Sequence, residues 1–400
     1  MSMPDVTDET LLELDSDWFE DFLTKHPTTD AEIEESYSKI SFRVVYQTHN
    51  YLLPQIRDLI DNREIFNLRP EYQRRSRWDD KKKSLLIESL LLNIPVPPIF
   101  LYENELARYE VMDGQQRLNA IHSFLENDFA LTGLEKLTFL SKRTYRRLPP
   151  RLKRALDRSS LSAIVLLHET QSDASDPYLV RRYVFERLNT GGQPLNRQEM
   201  RNSIYRGSFN DLIVELSRNA DFCASFGIPP YTETDQSEYY ENPDRQRNRL
   251  YSTMGDCQIV LRFFALDNDA NIAGSMDSIL NKTMARRERL SEIEIASSRK
   301  LFEKVISKAR EIFGDDPFLL EGTQGKGPRI SVALYDAIMG ALGRREASLE
   351  KLVPHAPAIR SALQDLKRDR RDLLTGQANT AAAIKERIAA VGAILDKYLQ

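Results

Sequence analysis

The sequence predicts an α+β chain, in which a small mixed α/β domain is followed by a mainly α-helical one. Three observations carry this. Ile99–Tyr102 and Tyr109–Met112 are short apolar stretches on either side of a polar turn at Glu103–Ala107, the pattern of a hairpin. Leu161–Leu167 is a third apolar run of strand length. From about residue 208 the apolar spacing is overwhelmingly helical, with breaks at Gly227–Pro230, Gly314–Pro317 and Gly322–Pro328. A chain of 400 residues suits about two domains. The expected division is an acidic arm over 1–40, a mixed domain over 41–207 and a helical domain over 208–400.

Along the chain, residues 9–25 can form an amphipathic helix with Leu11, Leu12, Trp18, Phe19, Phe22 and Leu23 on one side. Residues 51–62 read as a short helix. Asp79 or Asp80 can cap a nearly buried helix running from Ser84 to Leu92, which Pro95, Pro97 and Pro98 then terminate. After Asp113-Gly114 a new helix begins, with Leu118, Ile121, Phe124 and Leu125 as its core face. Pro177 opens a helix bearing Val180, Val184 and Leu188 that stops at Asn189-Thr190-Gly191-Gly192. Asn196 and Glu199 have capping-box spacing for the next helix. Val260–Leu266 is a buried helical segment. Arg245, Arg247, Arg249 and Tyr251 precede it and cap helices or close over a cleft. Residues 356–400 read as a helical hairpin broken near Thr375-Gly376, whose Ala381–Ala393 face packs within the chain or against a partner.

Charge is unevenly spread. Residues 1–40 carry twelve acidic and two basic side chains, a balance of −10 against −4 for the whole chain, so the remainder stands at +6. The arm reads as a solvated, partly helical tail, with mimicry of DNA phosphates as the alternative. The two cysteines, Cys223 and Cys257, form no CxxC pair, which argues against a zinc ribbon or a disulfide framework. The N-terminus has no basic, apolar leader, and no apolar run approaches the ~20 residues of a membrane span. A cytoplasmic protein without a membrane partner is expected.

The chemistry-bearing string is Asp113-Gly114-Gln115-Gln116-Arg117. A strand ends, glycine permits a tight turn, and a helix begins. The start of a helix presents backbone N–H groups and a positive dipole end to an anion such as phosphate. Arg117 adds a planar, permanently charged fork that fits phosphate oxygens. Gln115 and Gln116 can hold a phosphate oxygen or orient a water. Asp113 can take a proton from water or hold Mg²⁺ through water, or else simply cap the helix. Neither GxxxxGK[ST] nor GxGxxG occurs.

Three blocks, in order, resemble the N-terminal domain family of GmrSD-type restriction enzymes. They are Tyr72-Gln73-Arg74 with Trp78 and Ile94–Ile99; Val111–Leu118; and Phe185–Gly192 with Leu195. The likeness spans roughly residues 45–210. It implies a core similar to the fold of ParB and sulfiredoxin, in which an arginine-bearing loop at a helix start holds nucleotide phosphates. On that likeness Asp113, Gly114, Gln115, Gln116 and Arg117 form the nucleotide and hydrolytic site. Gln73 and Arg74 face the same cleft, and Asn189, Thr190, Gly191 and Gly192 form a loop over it, although a helix end and turn also account for those glycines. The cofactor implied is a nucleoside triphosphate with Mg²⁺. Relatives often carry a His-Asn-His nuclease domain downstream. Here the histidines are His26, His49, His122, His168 and His355, scattered without an HxxxH pair or a Cys/His cluster, so restriction activity does not transfer with the resemblance.

Residues 142–158 interleave Arg143, Arg146, Arg147, Arg151, Lys153 and Arg154 with Tyr145, Leu148 and Leu152, a pattern suited to tracking phosphates. Neutralising six phosphates would give a log–log salt slope of about −5. The same pattern also suits an exposed helix face. Arg69, Arg74, Arg75, Arg77 and Lys81–Lys83 form a second basic segment. The leading expectation is an NTP-binding and NTP-hydrolysing component of a DNA-defence system, with DNA, a separate nuclease subunit or a second copy as candidate partners. The alternative is a nucleotide-sensing or DNA-binding regulator without turnover.

Overall fold

The computed structural model describes residues 29–38, 44–62, 65–67, 78–167, 179–188, 196–205, 207–231, 242–322, 327–375 and 380–399. The chain divides into two compact units, one within Pro27–Leu195 and one that includes Asn196–Gln400. The expected helix at 9–25 lies outside the described residues.

The first unit begins with helix α1 (Asp30–Ser38) and is built on a five-stranded mixed sheet. Its strands are β1 (Tyr46–Leu52), β2 (Phe66–Asn67), β3 (Ile99–Glu105), β4 (Arg108–Asp113) and β5 (Ser160–Leu166), in the order β1-β5-β3-β4-β2. β3 and β4 are the predicted hairpin, and β5 is the predicted buried strand, parallel to β3. Residues 51 and 52, read as helical in the sequence, instead end β1, which pairs antiparallel with β5. β1 lies at the sheet edge and most of its side chains are exposed, so it has no apolar alternation to betray it.

Ile99, Leu101, Val111, Leu161, Ala163 and Val165 point to one face of the sheet and enter the core. That core includes residues of α2 (Leu53–Asp61), α3 (Asp80–Leu91), α4 (Gln115–Leu125) and α5 (Pro150–Asp157). Leu118, Ile121 and Phe124 of α4 are fully buried, as their helical spacing requires. Asp79 caps α3, its side chain accepting from the Lys82 N–H at 2.8 Å. A charged group sits in this apolar helix. The Glu88 carboxylate accepts backbone N–H bonds from Glu135, Lys136 and Leu137 at 3.1, 2.8 and 2.6 Å. One turn earlier, the Ser84 hydroxyl accepts the Thr132 N–H at 2.9 Å. Two polar side chains of α3 thus hold the irregular stretch after α4, and satisfy donors that burial would otherwise strand.

Glu110 of β4 points to the opposite face from Val111. There α6 (Leu179–Leu188) lies against the sheet, and Arg181 makes a buried ion pair with Glu110.

The second unit is helical, with a two-stranded ribbon at Leu319–Leu320 and Arg329–Ile330. Its main helices are α7 (Arg197–Ile204), α8 (Ser208–Leu216), α9 (Ala220–Phe226), α10 (Gly255–Ala265), α11 (Met276–Arg287), α12 (Glu292–Phe313), α13 (Val332–Gly343), α14 (Ala356–Asp369) and α15 (Ala381–Asp396). The predicted capping box is present, with Asn196 and Glu199 satisfying each other's backbone donors at the start of α7. The chain divides between Leu195 and Asn196, and α7 packs with α10 in the second unit. α13 is buried almost throughout and α15 lies along it through Ile384, Ile388 and Val391, so the Ala-rich end packs within its own unit. Arg245 is fully buried and donates to the Pro230 carbonyl at 3.0 Å, a tether within this unit. Arg262 and Arg387 flank Asp336 in the core, and all three are essentially inaccessible. Among the described residues, no helix is long and apolar enough to cross a membrane.

Candidate functional site

The Asp113–Arg117 loop joins the end of β4 to the start of α4. Gly114 occupies the N-cap with φ +98°, and a Cβ there would lie 2.3 Å from Ile99 Cγ2. Both facts exclude a side chain: the backbone is in a region L-residues avoid, and the turn is pressed against β3. The Leu118 N–H donates to the Gly114 carbonyl at 2.9 Å, the first bond of the helix. The residues between are therefore the first turn of α4, where backbone donors lack helical acceptors.

Asp113 ends β4 with its side chain half exposed. Arg117, one turn on, is only 16 % exposed and donates through Nη2 to Asp113 Oδ2 at 2.7 Å. The same nitrogen donates to the Pro98 carbonyl at 3.2 Å, so the proline run before β3 helps to aim the guanidinium. Arg117 Nε is buried and has no hydrogen-bond partner among the described residues.

The two glutamines are in different situations. Gln116 Oε1 accepts the Trp78 backbone N–H at 3.1 Å, which fastens the segment before α3 to the loop. Gln115 is buried. Asp113 is the one acidic group of the string, and the one most open to solvent. Among the described residues no group of three or more His, Cys, Asp or Glu side chains converges as a metal cage. A single carboxylate is still the usual contribution to Mg²⁺ that arrives with phosphates and waters.

Gln73 and Arg74, and the loop residues Asn189, Thr190, Gly191 and Gly192, lie outside the described residues.

The basic segment lies at the other end of α4 from the Asp113–Arg117 loop. Arg146 N–H donates to Asn127 Oδ1 at 2.7 Å, just past the helix end, and Phe124 meets the Tyr145 ring. The eleven-residue helix separates the two regions by about 15 Å. Arg143, Arg146, Arg147, Arg151 and Arg154 are exposed. Lys153 instead lies 4.5 Å over the Tyr145 ring. Burial pushes the Tyr145 phenol up to about 12, helped by its 2.6 Å hydrogen bond to Asp157 and that carboxylate's charge. It stays a neutral donor, so part of this segment serves local packing.

Sequence reasoning missed the Glu110–Arg181 pair. Arg181 also lies 4.7 Å over the ring of Tyr102, the residue opposite Glu110 on β3. The available signal was an acid inside an apolar strand, which demands a buried partner.

Residues 56–206 match the family of the GmrSD restriction endonuclease N-terminal domain, and this segment belongs to that family. A restriction-type family points to a component of restriction-like DNA defence. No curated protein and no solved structure shows a significant match.

Proposed function

We propose that the chain binds a nucleoside triphosphate at the Asp113–Arg117 loop and hydrolyses it, as the nucleotide-dependent part of a restriction-like defence system. The observation that carries this reading is the Arg117 guanidinium. It is held at the start of α4 by Asp113 and Pro98, with a buried Nε that lacks a partner. The charge of the guanidinium and the N–H groups of the helix start together suit phosphate oxygens.

Arg117 and the first-turn N–H groups hold phosphate oxygens. Gly114, with no side chain, lets the turn close against Ile99 and so sets the direction of the N–H groups at the helix start. Bound Mg²⁺ supplies charge neutralisation to the phosphates. Asp113 positions the attacking water or holds the metal through water, since Gln116 is tied to Trp78. Hydrolysis then gates DNA binding, or a nuclease carried by another chain.

The test is phosphate release by the full chain with each of the four nucleoside triphosphates and Mg²⁺. Arg117→Ala and Asp113→Ala are both expected to abolish turnover while the fold persists. Turnover that survives both substitutions contradicts the reading.

The exposed arginines at 143–154 favour a second reading, a DNA-binding regulator without turnover. It predicts DNA affinity with a steep salt slope that nucleotide does not change.

A further inference from the structure

We infer that Phe139 and the exposed cations of residues 142–158 bind single-stranded nucleic acid. Lys142, Arg143, Arg147, Arg151, Arg154 and Arg158 are exposed, and among the described residues none of them is in an ion pair. Exposed arginines of the helical unit do find acids, as Arg368 does at Asp365 and Arg370 at Glu386. The acid within residues 142–158, Asp157, accepts from the Tyr145 hydroxyl. Arg151, Arg154 and Arg158 recur at helical spacing, so they form one stripe along α5, opposite the buried Leu156. Like charges at that spacing repel one another and weaken a helix. A polyanion laid along the stripe offsets that repulsion.

Charge alone does not distinguish a single strand from a duplex, but Phe139 does. It lies in the turn Thr138–Leu140 and is 71 % exposed. The turn is tied to the cations. The Arg143 N–H donates to the Leu140 carbonyl at 3.0 Å, and Arg143 Nη1 donates to the Arg147 carbonyl at 3.5 Å. A single exposed apolar side chain is ordinary on its own. Beside unpaired cations it supplies what a phosphate-binding surface otherwise lacks, a flat face on which an unstacked base can rest. The bases of a duplex are stacked on one another and cannot use it. The inference rests on the reading above in taking a nucleic acid as partner, and it names the form of that partner. It does not depend on nucleotide binding at Arg117.

The experiment is fluorescence anisotropy of the full chain with a labelled oligothymidylate of about twelve nucleotides, within the usual footprint of such surfaces, and with a duplex of the same length. The single strand is expected to bind with a log–log salt slope of about −4, for six phosphates neutralised. Phe139→Ala and Phe139→Leu are each expected to weaken it about tenfold, and Phe139→Trp to keep it. Duplex affinity is expected to stay within about twofold in all three. The ring is exposed, so these variants keep the fold, which matched circular dichroism checks. Arg151→Glu combined with Arg154→Glu is expected to weaken single strand and duplex alike. The inference is overturned if Phe139→Ala leaves single-strand affinity unchanged, or if poly-glutamate displaces the strand as well as unlabelled oligothymidylate does. Duplex binding without single-strand binding overturns it while leaving a DNA partner in place; no binding of either removes both.

Discussion

Arg117 Nη2 sits 2.7 Å from Asp113 Oδ2, so the cation proposed to receive phosphate is paired with the carboxylate proposed to serve the reaction. The pair spans one helical turn across the left-handed Gly114. On the proposed function, a phosphate received by Arg117 would share its guanidinium with the Asp113 carboxylate.

Removing the charge of Asp113 while keeping its shape separates these roles. Asp113→Asn is expected to bind a non-hydrolysable triphosphate at least as tightly as the wild type, because the competitor is weakened. Its turnover is expected to fall by about 100-fold or more, the usual scale for losing a group that handles the attacking water. Calorimetry and phosphate release on the same preparation check the split. Binding and turnover falling together contradict it.

Gly114→Ala introduces a Cβ at φ +98° and 2.3 Å from Ile99 Cγ2. The left-handed conformation costs about 1–2 kcal/mol and the clash adds a similar amount. A loss near 3 kcal/mol in denaturant unfolding is expected.

Glu88 gives the first unit a pH dependence. Burial works to raise its pKa, but the N–H donors of Leu137, Glu135 and Lys136 prevail and hold it below the ordinary value of 4.5. A depressed carboxylate contributes stability that is fully present above its unfolded pKa and is lost as pH falls through the folded one. Glu88→Gln is expected to cost about 1–3 kcal/mol at pH 7. Unfolding curves from pH 7 down to 3 should show the gap between wild type and variant closing only below pH 4.5. A gap independent of pH over that range contradicts this role.

Asp336 is the carboxylate between Arg262 and Arg387 in the core of the helical unit, and it accepts from Arg262 Nε at 2.8 Å. Asp336→Asn removes the carboxylate that Arg262 and Arg387 share. A loss of about 3–5 kcal/mol is expected, measured by thermal unfolding. A change below 1 kcal/mol would show that the two arginines are satisfied elsewhere.

The hairpin, the buried strand and the face of α4 were legible because apolar spacing records which side of an element is buried. Asn196 and Glu199 were legible as a capping box because that motif is local. β1 was not, since this edge strand is mostly polar and mostly exposed and so has no apolar spacing. The strand–turn–helix form of the Asp113–Arg117 loop was legible from its residues, but its internal pairing was not. That pairing depends on the left-handed turn at Gly114 and on a carbonyl of Pro98, nineteen residues away. The Glu110–Arg181 pair, across seventy-one residues, was equally beyond local reading. Arg143–Arg154 read as a phosphate-tracking run, yet only the fold reveals that Lys153 lies over Tyr145 and that the segment is a helix-length from the loop.

The central claim is that Arg117 holds a phosphate. The most direct measurement is calorimetric titration of the full chain with a non-hydrolysable nucleoside triphosphate and Mg²⁺, beside Arg117→Ala of matched circular dichroism. Binding by the wild type and at least a tenfold loss in the variant are predicted, since one charge-assisted contact contributes about 1.5–3 kcal/mol. Equal affinity of the two proteins, or no binding by the wild type with any of the four bases, contradicts the account.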